Sequence, residues 1–523
     1  MRKAVIFNSF FKIKILKGEY VMVELIVKDK ILISFLGLKT IIYKLKMLEI
    51  EKNLEFKRAC KILNLKFNDE NLKFSLTSSA KIQNQIRFYT KNKIKREIIK
   101  IIKYIIRNYK NLSISINNYD KLDEGTKLFF NIFEELFPNN IKIIIENTDK
   151  DENIIYTDQE KEINYYLKNN FADKNVIEFL IKQTEYYLNI GDYYTALSIL
   201  NFIEKKETSV KLYTLFSIAY NMKEDTIKSE YYLKKWYSYG SYEDKASCLY
   251  SLSILQARHM ETYRRDYNLG LKYINEGYEI LNNLRKPDNT RIEINKIFNR
   301  NGYAFFLFND KKYDEAIELV KKLIEELEKF DINKTLLQKT VLLFNLGQCY
   351  TKANYLKEAI ETYKKLILLD PYFAEYHIEL SKLFLKNEQI EEALNELEIA
   401  LDLDSTIPEI YSLKGFISLK NEDLKEAIFN YKEAYILDKN IEIIYDYIYI
   451  LSENNEYKEA LNIINNLNNY QKTDNIDIIS LISEVYYNND LREKAIELLN
   501  EGIRKFENNK ILLENLEIIK YDK

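Results

Sequence analysis

The sequence predicts a mainly α-helical chain in which a small α/β domain precedes a solenoid of paired helices. A unit of about 34 residues is repeated three times between Thr340 and Ile441. The 523 residues include only 11 Gly and 4 Pro, too few for an all-β architecture built on tight turns. Apolar residues alternate before residue 150, a pattern typical of β-strands.

The three copies share small and bulky residues at fixed positions. Aligned on Ala359, Ala393 and Ala427, they begin at Thr340, Ala374 and Pro408. The first copy has Leu346-Gly347, then Tyr350, and closes at Pro371. This pattern resembles the tetratricopeptide repeat (TPR), in which small residues stand where two helices cross and bulky residues fill the space beside them. The resemblance implies a right-handed superhelix with a concave wall, since one helix pair cannot bury both of its faces.

The chain divides into five predicted segments. They are a basic α/β domain at 1–150, a connector helix at 151–175, irregular TPR-like repeats at 176–336, regular TPR repeats at 337–509 and a capping helix at 510–523. We expect nine repeat units, and a polar outer face on the last helix, as solenoids require.

Charge is distributed unevenly along the chain. The first 110 residues contain 26 basic and 9 acidic side chains, against 52 basic and 71 acidic in the remainder. A basic head of this kind could bind nucleic acid, dock against its own acidic half or contact a partner subunit. No helix-turn-helix, zinc-finger or RNA-binding signature supports nucleic-acid binding.

The segment Gly37-Leu38-Lys39-Thr40 stands where a phosphate-binding loop would lie. Predicted strands at 21–27 and 30–35 precede it, and a predicted helix at 41–48 follows. Lys39 and Thr40 are therefore candidate cofactor-binding residues. A working loop needs glycines that let backbone N–H groups surround the phosphates, and Leu38 occupies the position of one of them. The missing glycines favour a surface turn with a solvated lysine.

The next elements resemble the Walker B region of STAND-type signalling ATPases, in which TPR solenoids often follow the ATPase module. The resemblance covers roughly residues 25–165 and rests on a helix at 93–107, strands at 111–116 and 141–146, and a helix at 127–136. The family's two acidic residues are replaced by Asn117 and Asn118, which removes the charges that metal-assisted hydrolysis needs. The resemblance implies a degenerate nucleotide-binding head; the alternative is an unrelated small α/β domain.

The sequence predicts no catalytic residues, metal site or cofactor. His259 and His377 are far apart, and the three cysteines show neither metal nor disulfide spacing. The cluster from Arg258 to Arg265 is either an anion site or an ordinary inter-helix turn. We expect a cytoplasmic protein without a membrane segment, because the apolar run Ile31–Leu38 is far shorter than the ~20 residues that span a bilayer. The apolar stretch Ala4–Phe11 is interpreted as a strand rather than a signal peptide.

The predicted binding surface is the concave wall of the regular repeats. In this repeat the fifth, ninth and twelfth positions of the first helix face the groove, and a lysine follows. The predicted groove residues are Phe344, Gln348, Lys352, Ile378, Lys382, Lys386, Phe416 and Lys420. Such a wall suits an extended or helical peptide with acidic and apolar residues. The sequence thus predicts a non-catalytic protein-interaction scaffold; the alternative is a STAND-like signalling or transcriptional regulator.

Overall fold

The computed structural model describes residues 14–16, 20–45, 47, 53–65, 67, 69–79, 93–109, 112–146, 151–284, 290–507 and 509–521. The chain divides into two compact units, Met1–Tyr376 and His377–Lys523. The finer division into five segments stays a prediction. The strand predicted at 4–11 lies outside the described residues.

A four-stranded sheet forms the N-terminal part of the first unit. Its strands are β1 (Lys14–Leu16), β2 (Tyr20–Ile26), β3 (Leu112–Asn117) and β4 (Ile141–Glu146), in the order β1-β2-β3-β4. β1 pairs antiparallel with β2, whereas β2, β3 and β4 are parallel. Five of the six β3 side chains are buried, but none of those of β4. β3 is thus a buried inner strand and β4 an edge strand.

The described residues around the sheet form five helices. They are α1 (Leu36–Lys44), α2 (Leu54–Ala59), α3 (Leu76–Ser79), α4 (Lys93–Asn108) and α5 (Glu124–Leu136). α4 buries the isoleucine stripe Ile98, Ile101, Ile102 and Ile105, as the helical spacing predicts. α5 begins after Asp123, whose carboxylate caps it by accepting from the Thr126 N–H.

The strand predicted at 30–35 is absent, and this prediction was wrong. The apolar side chains Ile31, Ile33 and Phe35 are buried as a strand's would be, but the backbone turns and makes no ladder. Phe35 has a positive φ of 61°, which ends any extended course. The backbone donors of this segment bond to Lys121 O, Thr195 and Asp123 instead. Burial therefore explains the apolar run without a fifth strand.

The other described helices of the first unit follow residue 157, and from Lys174 onward they form pairs. They are α6 (Asp158–Lys168), α7 (Lys174–Ile190), α8 (Tyr193–Glu204), α9 (Val210–Met222), α10 (Thr226–Tyr239), α11 (Tyr242–Arg258), α12 (Tyr267–Asn283), α13 (Thr290–Asn309), α14 (Tyr313–Leu327), α15 (Ile332–Lys352) and α16 (Leu356–Leu369). α17 (Ala374–Lys386) begins in this unit and ends in the next.

The second unit continues with α18 (Ile390–Leu403), α19 (Pro408–Lys420), α20 (Leu424–Leu437), α21 (Ile441–Glu453), α22 (Tyr457–Ile464), α23 (Asn469–Lys472), α24 (Ile476–Tyr487), α25 (Arg492–Lys505) and α26 (Lys510–Tyr521). The architecture is a mainly α helical-repeat solenoid preceded by a small α/β domain, as predicted. The described helices from α7 to α25, apart from short α23, form nine pairs.

The regular repeats are held together by small residues packed against rings. A Cβ added at Gly347 would lie 2.8 Å from the Tyr363 ring, and one at Gly415 would lie 2.9 Å from the Tyr431 ring. Ala359, which has the small position of the second helix, is completely buried. Close contact between helices therefore depends on the absence of a side chain at the glycine, as the sequence pattern predicts.

The exposed side of the last helix is only partly polar, whereas a polar outer face was predicted. α26 buries Leu512 and Leu516, but Ile511, Ile518 and Tyr521 are 50%, 63% and 80% exposed. One side of the helix covers the end of the second unit's core. The other side exposes these apolar residues together with the charged side chains of Lys510, Glu514, Glu517 and Lys520. Among the described residues, no helix is long and apolar enough to cross a membrane.

Candidate functional site

The predicted groove residues of the first regular repeat differ in exposure. Phe344 is half-buried, and its ring centroid lies 6.0 Å from that of Tyr363 and 5.7 Å from that of Tyr376, both completely buried. Gln348 is half-buried and Lys352 is exposed. Phe344 therefore packs largely within the repeats, and Gln348 and Lys352 offer the more accessible polar groups.

The predicted groove residues of the second unit form a mixed surface. Ile378 is buried, so its side chain lies in the core rather than on an open wall. Phe416 is 41% exposed, and the Lys420 ammonium lies 5.1 Å from its ring centroid. Lys386 is exposed at the end of α17. An accessible aromatic ring beside lysine side chains can bind apolar and acidic groups of a peptide.

Lys382 already has carboxylate partners within the second unit. Its ammonium lies 2.8 Å from Glu379 and 2.6 Å from Glu409. Burial alone would lower the pKa of Lys382, but the two carboxylates outweigh that effect and raise it. The lysine thus stays charged, but much of its charge is balanced by its neighbours, and the wall is less basic than the sequence suggests.

Further wall residues, which the sequence analysis missed, lie on α21, α22 and α24. Continuing the ninth-position spacing beyond Phe416 leads to Tyr449 and then to Glu484. Tyr449 has a pKa raised by burial and then by the carboxylates of Glu453 and Glu484. Burial and Glu453 raise the pKa of Glu484, against a lowering by its hydrogen bond with Tyr457. Extending the repeat spacing beyond Phe416 would have identified this group of tyrosines and carboxylates from the sequence.

Lys39 and Thr40 lie in a packed region, which we call the joint and define as segment Ile33–Thr40 with Asp123, Glu160 and Asp192. The Lys39 ammonium donates to both oxygens of Glu160, at 2.8 and 2.7 Å, and both side chains are at most 2% exposed. The Thr40 hydroxyl donates to Leu36 O at 2.7 Å and accepts from the Ile155 N–H at 3.0 Å. Phosphate binding by Lys39 and Thr40 stays a prediction, and these contacts give it no support.

Two buried aspartates cap helices on either side of the joint. Asp123 caps α5 and also accepts from the backbone N–H groups of Phe35 at 2.6 Å and Gly37 at 3.1 Å. Asp192 caps α8, and its partner Thr195 accepts from the Ser34 N–H at 2.8 Å. Burial raises the pKa of both carboxyls, that of Asp192 to about 7. The joint therefore connects the sheet to the first helix pair through satisfied buried polar groups.

The Arg258–Arg265 cluster is held by structural contacts. The Arg264 guanidinium lies 2.7 Å from Glu230, and Arg265 donates to His259 O at 2.8 Å. The Arg258 guanidinium stacks 4.3 Å from the Phe305 ring centroid. His259 is completely buried, and burial, followed by the charge of Arg264, lowers its pKa. All three guanidinium groups are thus engaged in contacts within the fold, which matches the inter-helix-turn interpretation.

The basic head contacts the acidic solenoid within the first unit. The Asp370 carboxylate accepts from the Leu76 N–H at 3.0 Å, and the Arg96 guanidinium lies 3.5 Å from Glu375. Burial raises the pKa of Asp370 to about 6. Of the alternatives open for the basic head, docking against its own acidic half is thus observed.

Reactive side chains are scattered. In the part of the chain that the structure describes, no cluster of His, Cys, Asp and Glu could hold a metal ion. The side chains of Cys60, Cys248 and Cys349 are buried, and burial raises the pKa of Cys248 and Cys349 to about 12. Thiols with such pKa values are poor nucleophiles near neutral pH.

Comparison with known proteins bears on the repeats. Residues 341–373 match the tetratricopeptide repeat model. The matched segment lies within the first of the three clear copies and includes Gly347, Ala359 and Tyr363. None of the curated proteins matches the chain.

Several solved structures are similar to part of this chain. YrrB, described as a TPR protein with an unusual peptide-binding site, is 22% identical over 38% of this chain and 97% of its own, with a TM-score of 0.31. Pseudomonas aeruginosa pilF is 17% identical over 47% and 97%, with a TM-score of 0.33. MamA is 20% identical over 31% and 89%, with a TM-score of 0.26.

Proposed function

We propose that this chain is a non-catalytic interaction scaffold that binds a protein or peptide segment on the wall of its regular repeats. The observation that carries the proposal is the accessible Phe416 ring at the ninth position of α19, with Lys420 beside it and Tyr449 at the ninth position of α21. Exposed aromatic rings at equivalent positions of successive helices supply anchors at intervals of one repeat. Aromatic anchors dominate the affinity of many protein interfaces.

The charges beside these rings define the partner further. Lys420 and Lys386 suit acidic groups of the ligand, whereas Glu453 and Glu484 around Tyr449 suit basic groups. An apolar peptide carrying both kinds of charge therefore fits this wall better than a purely acidic one. Balanced charges on the wall also fix the direction in which such a peptide lies, because reversing it would bring like charges together.

Selection of peptides from a random displayed library on the full chain tests the proposal. We expect Phe416→Ala and Tyr449→Ala each to weaken the selected peptides by about tenfold or more, the loss typical of an interface hot spot. Phe429→Ala is the matched control, because Phe429 is 55% exposed on α20, the second helix of its pair, away from the groove positions. Equal binding by Phe416→Ala and the parent, or a loss only in Phe429→Ala, would contradict the proposal.

A further inference from the structure

Strand β4 presents an apolar edge. Four of its six residues are isoleucines: Ile141, Ile143 and Ile144 are half-buried and Ile145 is 62% exposed. β4 is the last strand in the sheet order, so its outer side has no neighbour among the described strands. Proteins usually protect such edges with prolines, bulges, several charges or a covering element, because an open edge pairs readily with another strand.

The backbone of β4 can accept a partner strand at this edge. The Asn118 N–H donates to Glu146 O at 3.3 Å, so the backbone groups of Glu146 face β3. Backbone groups alternate in direction along a strand. Ile143 and Ile145 therefore direct their N–H and C=O groups to the outer edge, where they can make two pairs of antiparallel hydrogen bonds.

The order of side chains in β4 is complementary to itself. In an antiparallel pair of two β4 strands with Ile144 facing its own counterpart, Ile143 faces Ile145 of the second copy. Lys142 then faces Glu146 of the second copy, and the two-fold symmetry makes this pair occur twice. The outward-facing residues Ile143 and Ile145 fall at the hydrogen-bonded positions of this register, so side chains and backbone favour the same alignment.

We propose that β4 pairs antiparallel with β4 of a second copy of this chain and so joins two sheets into one. Opposite charges at both ends of the strand favour a second copy over an unrelated strand, which would need both charges at the matching spacing. A six-residue strand pair buries little surface compared with a permanent interface. The dimer is therefore reversible and its population rises with protein concentration.

Sedimentation velocity of the full chain over a range of concentrations tests this pairing. We expect a monomer–dimer equilibrium in the parent. Lys142→Glu alone, or Glu146→Lys alone, places like charges opposite each other twice and raises the dissociation constant by about tenfold or more. The double variant Lys142→Glu/Glu146→Lys restores the opposite-charge pairs and returns the dissociation constant to within about threefold of the parent, as context dependence allows.

A backbone variant provides an independent test. Ile145→Pro removes an outward-facing N–H while leaving the β3–β4 hydrogen bonds in place, which proline tolerates on an edge strand. We expect Ile145→Pro to be monomeric and Ile145→Val to remain dimeric. The proposal would be overturned if the parent chain sedimented as a monomer at every concentration. This holds even if the edge of β4 then bound a strand of another protein. A dimer that persists in both Lys142→Glu and Glu146→Lys would also overturn it. These two charge variants are sufficient to test the proposal if Ile145→Pro fails to fold.

Discussion

In the joint, helix α1 meets α6 through a buried ion pair, whereas the helices of the regular repeats meet through a glycine and a tyrosine ring. Lys39 and Glu160 form the first contact, and Gly347 with Tyr363 the second. Burying two charges costs desolvation energy, which their mutual attraction offsets. Removing one partner therefore leaves the other charge buried without compensation. The glycine contact involves no charge and depends on shape alone. The two regions should therefore respond differently to substitution, pH and salt.

The largest effect should follow from breaking the ion pair. Lys39→Met leaves the Glu160 carboxylate buried without its cation, and we expect a loss of about 3–5 kcal/mol in the free energy of unfolding of the first unit. Denaturant titration followed by far-UV circular dichroism measures it. Lys28→Met is the matched control: its partner Asp151 is solvent-exposed, so no measurable change is expected.

Replacing both partners sharpens this prediction. In Lys39→Met/Glu160→Leu neither charge is buried, so most of the lost stability should return, because apolar pairs of similar volume often replace buried ion pairs without loss. A single variant as stable as the parent would show that the joint does not rely on the pair. A double variant no better than the single one would point to the hydrogen bonds that Glu160 makes with Asn64 and the Thr157 N–H.

A smaller effect is expected at the glycine crossing. Gly347→Val places methyl groups against the Tyr363 ring, where even a Cβ would lie 2.8 Å away, and should destabilise the repeats by about 1–3 kcal/mol. Gln348→Val, one residue further along α15 and half-buried, is the control and should change the free energy of unfolding by less than about 1 kcal/mol. If the two variants behave alike, the crossing is looser than the observed contact implies.

The comparison also explains what could be predicted from sequence. Gly347 and Ala359 lie within one repeat, so their spacing alone predicted the helix pair and its crossing. Lys39 and Glu160 are 121 residues apart, and no local pattern indicates that they pair. The same limit applies to the contact of Leu76 with Asp370, which are 294 residues apart.

The groove residues were predicted from sequence only in part. Repeat spacing predicted Phe416 as an accessible residue, and the same spacing extends to Tyr449 and Glu484. It also selected Ile378, which is buried, because spacing specifies the direction of a side chain and not the depth of its neighbours. The interpretation of 30–35 as a strand failed for a related reason: buried strands and buried turns both require apolar residues, and only Phe35 at positive φ distinguishes them.

The joint should also differ from the repeats in how its stability depends on pH. The pKa of Asp192 is raised by burial to about 7, above the ordinary value of about 4 for an unfolded chain. Ionisation therefore opposes folding: the stability available below about pH 4 is lost as the pH rises towards 7. Asp192→Asn keeps a capping oxygen for the Thr195 N–H and cannot ionise. Its melting temperature should exceed that of the parent at pH 8, and the difference should shrink on acidification to pH 5. If the difference in melting temperature between Asp192→Asn and the parent does not change with pH, the substitution acts through packing and not through ionisation.

The smallest effect should come from the contact between the basic head and the acidic solenoid in the first unit. The Arg96–Glu375 pair is partly exposed, at 17% and 27%, so Arg96→Glu should lower the free energy of unfolding by only about 0.5–1 kcal/mol. The effect should decrease as salt is raised from 0.05 to 0.5 M, since screening weakens exposed pairs while leaving buried ones nearly unchanged. The charge-reversed double variant Arg96→Glu/Glu375→Arg should recover the loss.

Lys39→Met, measured over the same salt range, should keep its full effect. If both variants lose their effect in salt, the Lys39–Glu160 pair is accessible to water, and the contrast between a buried joint and a solvated contact does not hold.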